Sequence, residues 1–356
     1  MKNKISIINY FNMRALFMGV GISNILDMSK ELFLCSIIIG TFMGSIFLYF
    51  YKYSNKKTLL NIVFSSVFTI YGFLILVNMI ASNYLPNMPK LMVGIPLLLL
   101  ILYILSKKKK VLLKLSNILF VLNIFIYVLA IISLIKYFNI DNFYFTNTSN
   151  KNVFMGAFEY AILSIAPTLL VRNENECMLK TYLISSFTMS IWLLLTYGIL
   201  GPYLSSTLRY PEYMILKNVS IVNAVENIEN IVCFMWIFDV IILISSAGYN
   251  IKQNTNNKYM PYIIMIVLFG ISAFLNYDYY YLNILYNNAA LIIGITLLLS
   301  TFINRKTHHN WCVYFVIIVI FAYPFPVLPV IVDVPAWFGI DKLPAIIFVL
   351  VNTKPE

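Results

Sequence analysis

Residues 208–248 read LRYPEYMILKNVSIVNAVENIENIVCFMWIFDVIILISSAG: a polar stretch with Tyr210, Pro211 and Lys217 gives way to a long apolar run that carries Glu226, Glu229 and, deep inside it, Asp239. An apolar run from about residue 222 to about 250 exceeds the roughly 20 residues that cross a ~30 Å hydrocarbon core, so it reads as a transmembrane helix. From Glu226 to Asp239 the helix rises about 20 Å, which puts Asp239 near the bilayer middle if the two glutamates lie in the outer interface. A charged Asp there costs about 2.5–3.5 kcal/mol on the insertion scale. It is therefore expected to face the bundle, where it either holds helices together through a hydrogen-bonded partner or couples an ion or proton. Glu226 and Glu229 are neighbours on one helix face, near the positive end of the helix dipole, as a solvated helix start would be.

Similar runs recur outward from this one, at about 10–27, 32–51, 59–81, 91–106, 111–136, 153–171, 178–200, 259–275, 283–303 and 311–331, with an ambiguous tail near 335–351. The chain is 61% hydrophobic and 11% charged, against about 45–50% and about 25% in soluble domains. The longest polar stretches, near 137–152 and 201–221, are too short to build a core of their own. The fold class is thus an all-α polytopic membrane protein, and any function lies in the bundle or its loops.

The net charge of +11 has a topological explanation. With a cytoplasmic N-terminus, Lys2, Lys4, Arg14, Lys52, Lys56, Lys57, Lys107 to Lys110, Lys114, Arg172, Lys180, Lys252, Lys258, Arg305 and Lys306 all fall inside, which is 17 of the 25 basic residues. That inside excess follows the positive-inside rule and excludes a nucleic-acid role. The opening MKNKISIINYFNMR lacks a separate apolar region and a cleavage site, so the first helix is expected to stay. Cys35, Cys177, Cys233 and Cys312 have neither metal nor disulfide spacing. His308 and His309 beside Cys312 read as a juxtamembrane cap. No phosphate loop, nucleophile elbow or HExxH occurs, so neither a cofactor nor a catalytic activity is expected.

Five predicted helices precede residue 150, and the sixth then runs opposite to the first. Two five-helix halves, about 1–150 and 151–304, make the inverted repeat of many transporters, with 305–356 as an additional segment. Such folds bind substrate where the first helix of each half is broken. In helix 1 the sequence MGVGISN offers Gly19, Val20 and Gly21, then Ser23 and Asn24, where unwinding is cheap and frees amide N–H groups for a carboxylate. In helix 6, FEYAILSIAPTLLV carries Pro167, which removes a donor and crowds the preceding turn, next to Ser164 and Ala166. The blander readings are a close helix contact for the glycines and a simple kink for the proline. Glu159, about 12 Å outward from Pro167, is expected to gate an outer vestibule, to bind an amine, or only to pair with Lys151 or Arg209. On helix 3, Tyr71 with Ser65, Ser66 and Thr69 is a candidate lining for the same cavity.

The order Tyr210-Pro211, Lys217, Ser220-Ile221, Glu226-Asn227-Ile228-Glu229 and Trp236 resembles the B-subunit family of spore germination receptors, within the amino acid-polyamine-organocation superfamily. That family has Tyr-Pro before helix 8, then Glu-Arg-x-Glu and a Trp one to two turns on; Asn227 departs from its Arg. The likeness extends more loosely to Gly19-Val20-Gly21-Ile22 and to Phe158 through Pro167, over a topology spanning about 10 to 304, while 305–356 exceeds the family's ten helices. The resemblance implies a transporter-like pocket for a small germinant, commonly an amino acid. Gly19, Val20 and Gly21 would bind its carboxylate, and the Ser164 to Pro167 backbone its amine or side chain. Tyr210, Pro211, Glu226, Glu229 and Trp236 would be structural. It also implies two partners, a membrane A-subunit and a lipoprotein C-subunit, in the inner membrane of a bacterial spore.

Three functions are therefore expected in competition. The first is a nutrient-germinant sensor that shifts the population of a receptor complex. The second is an amino-acid permease coupled to protons or ions through Asp239. The third is a membrane-embedded transferase, for which the outer loops offer Asp141, Glu212 and Asp278 but no histidine.

Overall fold

The computed structural model describes residues 3–17, 20–51, 58–143, 150–170, 178–208, 210–217, 228–255 and 257–275. Among them the only regular elements are helices: α1 (Asn3–Phe17), α2 (Val20–Ser29), α3 (Phe33–Tyr51), α4 (Thr58–Asn83), α5 (Lys90–Ser106), α6 (Lys109–Ile135), α7 (Asn150–Leu170), α8 (Met178–Thr207), α9 (Pro211–Lys217), α10 (Ile228–Asn254) and α11 (Met260–Phe274), with short 3₁₀ turns at Lys30–Leu32 and Ile140–Phe143. The spans expected near 283–303 and 311–331, the tail, the boundary at 304, Asp278, His308, His309 and Cys312 lie outside the described residues.

Five stretches are long and apolar enough to cross a bilayer: Gly21–Leu48, Asn61–Asn83, Lys109–Ile135, Leu179–Thr207 and Asn230–Asn254. Lys90–Ser106, Val153–Thr168 and Met260–Phe274 are apolar but shorter. The Gly21–Leu48 stretch is not one straight helix, because Lys30 adopts a left-handed φ of 45° at the 3₁₀ turn between α2 and α3. The protein is an all-α membrane protein. Ile38 and Phe42 on α3 and Ile118, Val121 and Phe125 on α6 point out of the bundle, where hydrocarbon would cover them.

Two groups of helices emerge from the contacts. One joins α1, α2, α3, α7 and α8, in which α3 lies along α7 and α8 along α1 and α2. The other joins α4, α5, α10 and α11, centred on α4 against α10. Helix α1 links the two by also packing on α10 and α6. Small residues set the closest approach: Gly40 and Gly44 form a small-xxx-small face on α3. A Cβ at Gly40 would stand 2.5 Å from the Ala157 carbonyl oxygen of α7, and one at Gly44 would stand 2.1 Å from the Tyr182 hydroxyl of α8.

Polar side chains of α1 reach three neighbours. Asn9 donates to Thr168 Oγ1 of α7 at 3.3 Å, Tyr10 to Asn123 Oδ1 of α6 at 3.1 Å, and Asn12 to Ser246 Oγ of α10 at 3.0 Å. Such bonds average about 0.6 kcal/mol inside a membrane, so their value lies as much in fixing register as in strength.

Proline has different consequences in two helices. In α8, Gly201 takes a φ of 73° just before Pro202, and the helix kinks there. Pro202 has no N–H for the Gly198 carbonyl, which instead accepts from Asn139 N at 3.0 Å and Asn142 Nδ2 at 2.8 Å. In α7 the expected break is not found: the helix runs through Pro167 to Leu170. In the first predicted helix, α1 is described to Phe17 and α2 from Val20, and Met18 and Gly19, where the break is expected, lie outside the described residues.

At one end of the bundle α10 closes over α5. Tyr249 donates to the Ile104 and Lys107 carbonyls at 2.8 and 3.1 Å, and Lys252 Nζ to the Leu105 carbonyl at 2.7 Å. A cation there complements the negative end of the α5 dipole.

Candidate functional site

Asp239 is fully buried on α10, and its partner is Arg14 of α1, whose Nε lies 3.0 Å from Asp239 Oδ2; the side chains are 1% and 4% exposed. Arg14, one of the basic residues expected at the cytoplasmic end, is buried within the bundle. Its Nη1 also donates to Asn123 Oδ1 of α6, and its guanidinium stands 6.0 Å from the centre of the Tyr127 ring. Arg keeps its charge in proteins, so Asp239 serves as its counter-ion across the α1–α10 contact. Neither Asp239 oxygen accepts a well-aligned hydrogen bond. The pair is held by charge, with capacity for further donors left over.

Arg14 also lines a cavity of about 20 Å³ together with Phe17 of α1, Ile22 of α2, Met189 and Trp192 of α8, Glu212 of α9 and Trp236 of α10. That space is slightly more than the roughly 10–15 Å³ one water needs. It lies where α1 ends and α2 begins, walled by both helix groups. Glu212 corrects a second expectation. Read as an outer-loop carboxylate, it is 2% exposed, because residues 211–217 form the short helix α9 rather than a solvated loop. Pro211 occupies the first helical position, where its missing N–H costs nothing. A Pro-Glu start was the available sequence signal, masked by the polar composition around it.

The other expected site residues fall in three places. Gly19 and Glu226 lie outside the described residues, while Val20 and Glu229 are described only as parts of α2 and α10. Gly21 and Ser23 are buried on α2 beside Ile22. Tyr71 reaches the same junction, its hydroxyl donating to the Leu16 carbonyl at 3.4 Å in the last turn of α1. Ser65, Ser66 and Thr69 are occupied elsewhere: Ser65 accepts from Asn250 at 2.8 Å, and Ser66 and Thr69 bond back along α4. Tyr210 and Pro211 are buried against the bundle, and Trp236 lines the cavity one turn before Asp239.

On α7, Glu159 is 3% exposed, with Asn24 and Asp27 of α2 nearby. This brings it to the second half of the first helix pair, away from the Arg14 cavity. Ser164 belongs to a hydroxyl network. It meets Tyr182 Oη at 3.0 Å, Tyr182 donates to the Thr41 carbonyl at 3.4 Å, and Thr41 Oγ1 meets Ser186 Oγ at 3.1 Å. Tyr160 Oη closes the network 2.7 Å from Ser186 Oγ. Ala166 and Pro167 are buried beside it without a polar contact to the cavity. Asp141 is exposed in the 3₁₀ turn Ile140–Phe143. Among the described residues no three His, Cys, Asp or Glu side chains are grouped to hold a metal.

The fold and the site define a helical membrane protein with a buried ion pair and a small cavity lined by charged, aromatic and aliphatic side chains. No protein-family model and no curated protein matches the chain.

Proposed function

We propose that the protein is the nutrient-sensing B-subunit of a spore germination receptor, binding a small molecule such as an amino acid in a transporter-like bundle. The observation that carries this reading is the cavity at the α1–α2 junction, lined by Arg14 of the buried ion pair. The sequence resemblance supports the family, and the contact pattern supports the five-plus-five plan. With α1–α2, α3, α4, α5 and α6 as the first half and α7, α8, α10 and α11 opening the second, the α3–α7 contact has its counterpart in α1–α2 against α8. The α4–α11 contact likewise has its counterpart in α5–α10, and α4–α10 is its own counterpart. That pairing is what a pseudo-two-fold repeat produces. The A-subunit and lipoprotein C-subunit are the partners of this reading, in the spore inner membrane with the N-terminus cytoplasmic. Lys252 gathered with Lys107 at one end of the bundle agrees with that orientation.

A sensor needs no net flux, only different ligand affinity in two states of the complex. Deleting the gene is expected to abolish germination with at least one nutrient, and the purified protein is expected to bind that nutrient. Normal germination with every nutrient would exclude the reading. Asp239 supports a second one, an ion- or proton-coupled amino-acid permease, because an intramembrane carboxylate commonly marks a coupling site. Reconstituted vesicles separate the two: accumulation driven by an ion gradient and lost in Asp239→Asn supports the permease, and binding without flux supports the sensor.

A further inference from the structure

At the end of the bundle where α10 closes over α5, the turn from α5 into α6 carries Lys107, Lys108, Lys109 and Lys110, with Lys114 one turn further along α6. No Asp or Glu occurs between Glu31 and Asp141 or between Asp239 and Asp278, so α5, α6 and α11 bring no carboxylate to these lysines. Helix α6 opens with neither an acidic residue nor a side-chain cap in its first turn, and the positive end of its dipole adds to their charge. An excess of lysine at one end of a bundle follows from topology alone. The placement of these lysines on their helices is more specific.

Lys110, Lys114, Ile118, Val121 and Phe125 follow one another at spacings of four, four, three and four, which puts them on one face of α6. All five are exposed, Ile118 and Val121 at 70% and 71%. The stripe faces out of the bundle, apolar along the bilayer and basic where the bilayer ends. Lys114 lies about 6 Å along the axis from Ile118, and its side chain leans further toward the helix N-terminus, away from the hydrocarbon. Across the turn α5 repeats the pattern in the opposite direction. Lys107, Tyr103 and Leu99 are four apart and exposed, and Lys107 Nζ stands 4.6 Å from the centre of the Tyr103 ring. Tyrosine and lysine side chains with an apolar body and a polar tip settle at the level of lipid headgroups.

We propose that this end of α5 and α6 binds an anionic phospholipid, with its phosphate at Lys110 and Lys114 beside Lys107 and an acyl chain along Ile118, Val121 and Phe125. Basic clusters next to a membrane helix attract anionic headgroups in this way. A soluble phosphate would leave the apolar stripe unused, and a zwitterionic lipid would bring a choline cation up to the lysines. The site is separate from the cavity at Arg14 and holds whichever small molecule the bundle takes.

Native mass spectrometry of the purified full-length protein in detergent tests this with dioleoylphosphatidylglycerol and dioleoylphosphatidylcholine, which share their acyl chains and differ in net charge. The anionic lipid is expected to bind about tenfold more tightly or better, by a margin that shrinks with added salt. Lys110→Gln with Lys114→Gln is expected to remove most of that margin, at about fivefold for each lysine. Binding of phosphatidylcholine should not change, which also shows that the variant is folded. Should it not fold, Lys107→Gln with Lys108→Gln carries the same expectation. Lys136→Gln, at the other end of α6, is the control and should keep the margin. Equal binding of the two lipids by the wild type, a margin that the lysine variants keep, or an equal loss in Lys136→Gln overturns the site. Displacement of phosphatidylglycerol by glycerol 3-phosphate at matched concentration overturns the lipid assignment in favour of a soluble phosphate.

Discussion

Arg14 on α1 and Asp239 on α10 face each other at 3.0 Å between two helix groups, with almost no side-chain surface left exposed. A buried pair of this kind is neutral against a well-packed apolar pair, yet costly when half of it is removed. Arg14→Gln or Asp239→Leu alone is therefore expected to destabilise the protein by about 3–5 kcal/mol. The double variant Arg14→Met with Asp239→Leu should recover most of that loss. Thermal unfolding in detergent checks this. Additive losses in the double variant would mean that the two residues do not act as a pair.

The spans were legible in the sequence because hydropathy is a local property: α4, α6, α8 and α10 lie where the apolar runs put them. The partner of Asp239 was not, because the pairing of α1 with α10 is decided by packing across the bundle, and Arg14 close to a basic N-terminus has the local look of a juxtamembrane residue. Glu212 was missed for a similar reason. A seven-residue helix has no hydrophobic period to reveal it, and the polar run 201–221 reads as solvated even though α9 packs on α8 and α10. Pro167 reads as a break in the sequence, yet α7 runs through it to Leu170, since membrane helices tolerate a proline where neighbouring groups satisfy the carbonyl it leaves free.

Tyr71→Phe tests the junction of α1 and α2. The hydroxyl bond to the Leu16 carbonyl is long, at 3.4 Å, so its loss should lower stability by only about 0.5–1 kcal/mol. The readout specific to this contact is amide hydrogen exchange, which should accelerate in the last turn of α1 and leave α5 and α6 unchanged. Uniform acceleration would show that Tyr71 supports the whole bundle instead.

Gly40→Ala tests the close approach of α3 to α7. The new Cβ would meet the Ala157 backbone carbonyl oxygen at 2.5 Å, and backbone cannot rotate away as a side chain can. Overpacking of this kind costs about 1–3 kcal/mol. A midpoint unchanged within error in detergent unfolding would mean that α3 and α7 separate freely.

Gly201→Ala tests the kink in α8. Gly201 has φ 73° and ψ 178°, a region essentially reserved to glycine, where another residue costs about 1–3 kcal/mol. If α8 straightens to escape that strain, the Gly198 carbonyl moves off the Asn139 and Asn142 donors. Faster amide exchange at Asn139, whose N–H now bonds Gly198 at 3.0 Å, would report that movement; protection equal to wild type together with full stability would contradict the strain argument.

Glu159→Gln separates a structural carboxylate from one on a ligand path. The side chain is 3% exposed beside Asn24 and Asp27, and the isosteric amide keeps its shape while removing any charge that must be held out of water. If Glu159 only packs α7 against α2, the variant is expected to unfold at the same or a higher temperature and to bind alanine as the wild type does. If it gates a vestibule, alanine association should change with the equilibrium stability untouched, which stopped-flow binding resolves from dissociation. Lower stability with unchanged binding would show instead that the carboxylate itself holds α2 in place across the α2–α7 contact.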